Sequence, residues 1–278
     1  MKNSKTFSQQ EVVESSILAP QYNSAKYVTE YLKPHMQRFR VTLDMLRGIC
    51  TPEMRVVDVG SYGSLVPALK QILGLTDIVV TTPRQQNRPT SEDTFLADAR
   101  NGEQYHFRVD RFDLEESFPY SDETFEVVIF TEVLEHLSVD PMHVLSEINR
   151  ITKIGGSILL STPNCASAKS IARILRGGNP NCYPVYTKQP SRDRHNREYT
   201  PWEVRQLLTA CGYEVTIFDT IDVYNDQSLV WWLIKVGLWL SSFLSLGIIR
   251  FRDRGDTIFA LGKKISGIEN RYPDFLYV

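Results

Sequence analysis

The sequence predicts an α/β protein: a doubly wound, mostly parallel seven-stranded sheet with helices on both faces. Two observations carry that prediction. Short apolar runs ending in Gly or Thr alternate along the chain with longer segments of helical spacing, and strands alternating with helices pair in parallel through crossover connections. The run FEVVIFT at 125–131 is apolar almost throughout, as a strand covered on both faces must be. A chain of 278 residues, 42% apolar and 23% charged, is long enough to bury such a core.

The elements follow in order. Residues 22–48 read as helix, interrupted by Pro34, with Val28, Tyr31 and Leu32 on one face and Val41, Leu43 and Leu46 later. MRVVDVG at 54–60 is a short strand closed by glycine, and SLVPALKQILG at 64–74 is a helix that tolerates its proline in the first turn. DIVVT at 77–81 is the second strand, YHFRV at 105–109 the third after a polar loop, and 125–131 the fourth. Asp140 and Pro141 then form the cap and first residue of a helix through Leu145, Ile148 and Ile151, expected to stop at Gly155-Gly156. SILLST at 157–162 is the fifth strand. Thr200-Pro-Trp-Glu203 is a capping box that opens the last helix, and YEVTIFDTIDVY with DTIFALGKK supplies the final two strands. Residues 1–50 form a polar tail and helical extension. Residues 51–278 carry the main domain, with an apolar helical insertion at about 226–250.

Bulk properties exclude several partners. A net charge of -2 gives no global field for nucleic acid, and no basic helix or stacking module is visible, so nucleic acid is not expected. The four cysteines lie far apart without C-x-x-C spacing, which fits a reducing cytoplasm rather than a disulfide scaffold or zinc site. The polar start MKNSKTFSQQEVVESS has no apolar core of the signal-peptide kind.

In a doubly wound sheet, ligands bind beyond the carboxyl ends of the strands. That rule selects residues 58–64, 81–83, 110–114, 131–136 and 162–164, expected to converge on one crevice. The ordered set VVDVGSYGS, FDLEESFPYSDETFEVVIFTEVLEHL and GGSILLSTPN, followed by RHNREYTPWEV and DTIFALGKK, resembles the Rossmann-like class I S-adenosylmethionine-dependent methyltransferases. The resemblance implies a cofactor site at Asp58, Gly60, Ser61, Tyr62, Gly63, Thr81, Thr82, Asp113, Leu114 and Thr131. Asp58 would orient the loop, and Asp113 with Leu114 would take the adenine. Two departures stand out. Tyr62 replaces an expected glycine, and Thr81-Thr82 replaces the acid that usually binds the ribose. These departures sustain a second reading, a methyltransferase-like binding module without catalysis.

TEVLEHL at 131–137 gathers Glu132, Glu135 and His136. On a helix, spacings of three and four put them on one face, where a hard cation such as Mg2+ could take the carboxylates. E-x-x-E-H also resembles the metal-binding group of small-RNA 3′-terminal ribose methyltransferases, with His195 before Glu198-Tyr199-Thr200 as the implied fourth ligand. The metal set is then Glu132, Glu135, His136 and His195. Two other readings stand beside it: the carboxylates as structural caps, and Glu135, His136 or His195 as the acid–base group without metal.

Between 165 and 197, Lys169, Arg173, Arg176, Lys188, Arg192, Arg194 and Arg197 face the single acid Asp193. This is either a solvated loop or a site for an anionic substrate, with Tyr183 and Tyr186 available to stack on a sugar. The arrangement of TPN, GGNPN and RHNREYT is similar to bacterial methyltransferases of surface polysaccharide biosynthesis. The expectation is therefore O-methylation of a hydroxyl on a small-molecule or glycan substrate, or alternatively on a lipid- or quinone-type acceptor. LVWWLIKVGLWLSSFLSLGII at 229–249 holds one charge, Lys235, and would extend about 31 Å as one helix. Lying between two strands of one sheet, it is expected to fold as a buried lid or homodimer contact, or to rest on a membrane surface as a peripheral contact.

Overall fold

The structure, a computed structural model, describes residues 34–97, 102–138, 140–181, 188, 194–224, 229–244 and 251–278. Most of the expected N-terminal helix, and Tyr183, Tyr186, Arg192 and Asp193, lie outside these residues. Eight strands are hydrogen-bonded in the order β3-β4-β2-β1-β5-β6-β8-β7: β1 (Arg55–Asp58), β2 (Asp77–Thr82), β3 (Ser91–Ala97), β4 (Gln104–Arg111), β5 (Phe125–Thr131), β6 (Thr152–Pro163), β7 (Tyr213–Ile221) and β8 (Thr257–Lys264). The mixed α/β class holds, with one strand more than expected. β3 lies in the stretch read as a polar loop and pairs antiparallel with β4. Its alternation of exposed and half-buried residues, with Glu92 bound to Arg111, suits an edge whose core side is partly polar.

The chain divides into two compact units, residues 1–129 with 150–159, and 130–149 with 160–278. In the first, β1 runs parallel to β2 and β5, and β2 parallel to β4. Buried Val56, Val57, Val79, Val80, Val128 and Ile129 form its centre, the β-branched stock that a two-sided strand favours. α1 (Met36–Arg47) buries Phe39, Leu43 and Leu46, and α2 (Val66–Leu73) carries its proline in the first turn and ends at Gly74 in the left-handed region, as the sequence predicts. Arg150 donates to the Tyr120 and Phe118 carbonyls at 2.7 and 3.0 Å.

The second unit holds α3 (Pro141–Ile151), α4 (Ala168–Leu175), α5 (Pro201–Ala210) and α6 (Leu229–Leu244), its α3 reaching into the first unit at Arg150 and Ile151. α3 starts where Asp140 accepts the Met142 N–H at 2.9 Å, but it stops at Ile151, short of the expected Gly155-Gly156. Those glycines lie inside β6. A Cβ on Gly156 would sit 2.7 Å from the Glu126 carbonyl oxygen, so glycine is required there by a close backbone approach and not by a helix end. The Thr200/Glu203 capping box is present in both directions. α4, not expected from sequence, begins at Ser167, whose hydroxyl accepts the Ser170 N–H at 3.1 Å. Asn149 donates to the Cys211 carbonyl at 2.6 Å and Lys264 to the Asn149 carbonyl at 2.8 Å.

The apolar insertion forms α6, and the buried-lid expectation fails. Trp232 is 59% exposed and Phe243 76%, so among the described side chains these large ones face outward rather than into a buried lid. No helix among the described residues is long and apolar enough to cross a membrane.

Candidate functional site

In the first unit, β1 and β2 end side by side with Asp58 level with Val80. The turn after β1 is held by Thr81. The Thr81 hydroxyl accepts the Gly60 N–H at 3.0 Å, and its carbonyl accepts the Ser61 N–H at 3.0 Å. The Ser61 hydroxyl in turn accepts the Gly63 N–H at 3.0 Å. Gly60 and Gly63 have φ of 71° and 79°, where a side chain is strained, and a Cβ on Gly63 would press the Phe107 ring at 3.2 Å. Tyr62 stands half in solvent, so the residue that replaces a glycine does not fill the turn.

Two polar atoms here are buried without a hydrogen bond. One oxygen of Asp58 and the Thr82 hydroxyl each have no hydrogen bond. Burial raises the Asp58 carboxyl from 3.8 to about 7, opposed by its hydrogen bond with Ser61. Leaving such atoms unsatisfied is costly unless a ligand completes them. Thr81 is committed to the turn, which leaves Thr82 as the hydroxyl able to meet a ribose. The Phe112 N–H donates to the Thr82 carbonyl at 3.2 Å, and this brings Asp113 and half-buried Leu114 to the same strand end. There Asp113 accepts the Glu115 N–H at 3.1 Å. Left-handed glycines, a close backbone approach and two buried unsatisfied oxygens fit a site for S-adenosylmethionine.

In the second unit, half-buried Thr131 ends β5, and Glu132 follows at φ 56°. A left-handed residue cannot continue a right-handed helix. A single 3-10 turn, Leu134–His136, is all that follows before Leu137 becomes extended, so the one-face helix expected for Glu132, Glu135 and His136 does not form. Glu132 turns away and accepts the Ser161 hydroxyl at 2.8 Å. Glu135, His136 and His195 do come together, their ligand atoms within 4.8 Å of one another.

The geometry assigns the imidazole protons. His136 Nδ1 lies 3.0 Å from the Arg194 carbonyl, and since a carbonyl only accepts, Nδ1 carries the proton. The lone pair of neutral His136 is then on Nε2, 3.9 Å from Glu135 Oε1. His195 Nδ1 is 2.9 Å from Glu198 Oε1 within buried surroundings, which likewise directs the His195 lone pair to Nε2. The rings meet edge to face at 4.8 Å. Glu135 is anchored by the Thr162 hydroxyl at 2.9 Å, and its carbonyl accepts the Asn196 N–H at 2.7 Å. Two imidazoles and one carboxylate are a poor set for magnesium, which takes oxygen ligands. Without Glu132 the expected Mg2+ site does not fit.

The basic segment is less available than its composition suggests. Lys169 is paired with Asp256 at 2.8 Å and donates to the Tyr224 carbonyl at 2.7 Å. Arg173 donates to the Asn181 carbonyl at 2.8 Å, and Arg197 pairs with Glu203. Sequence reasoning missed Ser161, Thr162 and Glu198 as partners of the acidic and histidine groups. Only His195-x-x-Glu198 carried a spacing that pointed to contact.

The family described as Methyltransferase domain matches residues 27–241. A relative from Mycolicibacterium smegmatis, named "Probable S-adenosylmethionine-dependent methyltransferase", is 33% identical over 116 residues, 40% of this chain. The chain covers 36% of that relative's length. Among solved structures, the methyltransferase complexed with the Haloferax volcanii Trm112 methyltransferase activator aligns at TM-score 0.55 and 15% identity, over 86% of this chain and 93% of its own. An S-adenosylmethionine-dependent methyltransferase from Thermotoga maritima aligns at TM-score 0.50 and 18% identity, over 86% and 97%. These two likenesses concern the fold.

Proposed function

Since the chain belongs to the methyltransferase-domain family of class I S-adenosylmethionine-dependent methyltransferases, we propose that it O-methylates a hydroxyl on an anionic or glycan-type substrate. The observation that carries this is the Glu135–His136–His195–Glu198 group, in which two imidazoles have their Nδ1 protons fixed and their Nε2 lone pairs directed elsewhere. A hydroxyl acceptor must lose a proton during transfer, whereas a neutral amine attacks with its own lone pair, so a placed base favours a hydroxyl.

When bound, S-adenosylmethionine supplies a methyl on a positively charged sulfur. The Asp58–Gly63 turn and Thr82 would hold it, with Asp113 and Leu114 toward the adenine. His136, the more exposed of the two imidazoles, accepts the hydroxyl proton at Nε2. Buried Glu135 stabilises the resulting imidazolium, and His195 with Glu198 fixes the ring orientation. Arg194, whose carbonyl holds His136, supplies positive charge for an acidic sugar.

The exposed apolar α6 favours a second acceptor, a lipid-linked sugar. Both readings are tested by following labelled methyl from S-adenosylmethionine onto an acidic oligosaccharide, a neutral one and a lipid-linked one. Transfer to the acidic sugar alone supports the first reading and transfer to the lipid-linked sugar alone the second. With cofactor bound and no transfer to any of the three, the binding-module reading takes their place.

A further inference from the structure

α6 turns a broad apolar face to solvent. Trp232, Leu233, Trp239, Leu240, Phe243 and Leu244 are each at least 45% exposed, and their spacing places them along one face of the helix. Two of its polar residues are engaged by neighbouring segments. Lys235 pairs with Asp222, and the Ser242 hydroxyl accepts the Phe251 N–H at 3.3 Å. A surface helix in water normally turns its apolar face toward the core. α4 packs against α6 and adds Ile174 and Leu175, 53% and 79% exposed. Two helices in contact therefore both expose large apolar side chains, the kind of surface that marks an interaction site.

The rim is cationic. Arg176, after α4, and Arg252, in the 3-10 turn Phe251–Asp253 beside α6, are both exposed. Neither helix contains an acid, and Asp253 is the one acid of the turn. Tryptophans beside leucine and phenylalanine, edged by arginine, match the boundary between acyl chains and anionic headgroups. A second copy of this chain fits less well, because a two-fold contact would bring the same cationic rim against itself with little acid to neutralise it.

We propose that the α4–α6 face seats the protein on the surface of an anionic lipid bilayer, α6 lying in the interface plane with its tryptophans among the headgroups. This docking is independent of the acceptor's identity. It also accounts for an apolar helix between β7 and β8 whose large side chains are exposed.

The test is co-sedimentation of the full chain with vesicles of phosphatidylcholine alone and with phosphatidylglycerol added, at low and high salt, beside light scattering without lipid. The expected result is binding to the anionic vesicles, weakened about tenfold by high salt and abolished in Trp239→Ser/Phe243→Ser. Arg176→Gln/Arg252→Gln should lower it about tenfold while leaving the apolar face intact. Both pairs are exposed, so unchanged melting confirms that the variants fold. Absence of binding to anionic vesicles overturns the proposal. So does a concentration-dependent dimer that the Trp239→Ser/Phe243→Ser change dissolves while vesicle binding is absent, which would assign the face to a second copy.

Discussion

The turn after β1 and the histidine group after β5 are both polar clusters at strand ends, yet they are finished to different degrees. Around Asp58 the backbone is fully organised by Thr81 and Ser61, while an Asp58 oxygen and the Thr82 hydroxyl remain buried and unsatisfied. Around His136 and His195, carbonyl, carboxylate and hydroxyl groups already fix the rings and Glu135. The first leaves buried polar atoms for a ligand to complete. In the second, the protein's own groups already hold the rings.

Breaking each region separately should therefore break a different step. The largest effect is expected for His136→Ala, which should lower kcat about a hundredfold or more while S-adenosylhomocysteine binding is unchanged. Steady-state rates beside calorimetry read both quantities, and a parallel loss of binding would collapse the distinction between the regions.

Asp58→Asn should do the opposite, weakening cofactor binding by roughly tenfold or more and raising the melting temperature of the ligand-free protein at pH 8. The wild-type carboxyl keeps its proton to about pH 7 when folded, against 3.8 as its ordinary value. This group's contribution to stability is thus full below about pH 4 and is lost as pH rises to about 7, by roughly 4 kcal/mol at most. Thermal melts across pH 4–8 should show a downward slope in wild type that Asp58→Asn flattens.

Much of this was legible in the chain. The capping box at Thr200, the start of α3 at Asp140 and the parallel strands around FEVVIF follow from local rules, because cap chemistry and two-sided apolarity act within a few residues. β3 was hidden because an edge strand with polar side chains carries no strong period. The stop expected at Gly155-Gly156 misread a tertiary requirement, the approach of Gly156 to Glu126, as a helix terminus. At the site, TEVLEHL announced itself by composition, but its helical spacing was misleading once Glu132 took a left-handed backbone. Pairings across long sequence separation, such as Glu135 with Thr162 and His136 with His195, leave no local trace. The two threonines at 81 and 82 were legible as a pair, and only the fold separates the one that holds the turn from the one left available.

Smaller perturbations sharpen the contrast. Glu198→Gln keeps the shape but removes the charge that orients His195, and kcat should fall about tenfold with KM little changed. Thr82→Val removes one hydroxyl of near-equal volume and should weaken S-adenosylhomocysteine about fivefold, the scale of one hydrogen bond. EDTA should leave turnover unaltered. Loss of activity in EDTA that zinc or manganese restores would replace the proton-transfer role of the histidines with metal ligation.

The most direct test is calorimetric titration of S-adenosylhomocysteine into wild type, Asp58→Asn and His136→Ala side by side. Micromolar binding in wild type and His136→Ala, lost in Asp58→Asn, is the predicted result and places the cofactor in the Asp58 turn with chemistry left to the histidines. Absence of binding in wild type would contradict it, and the orphaned groups at Asp58 and Thr82 would then belong to some other ligand.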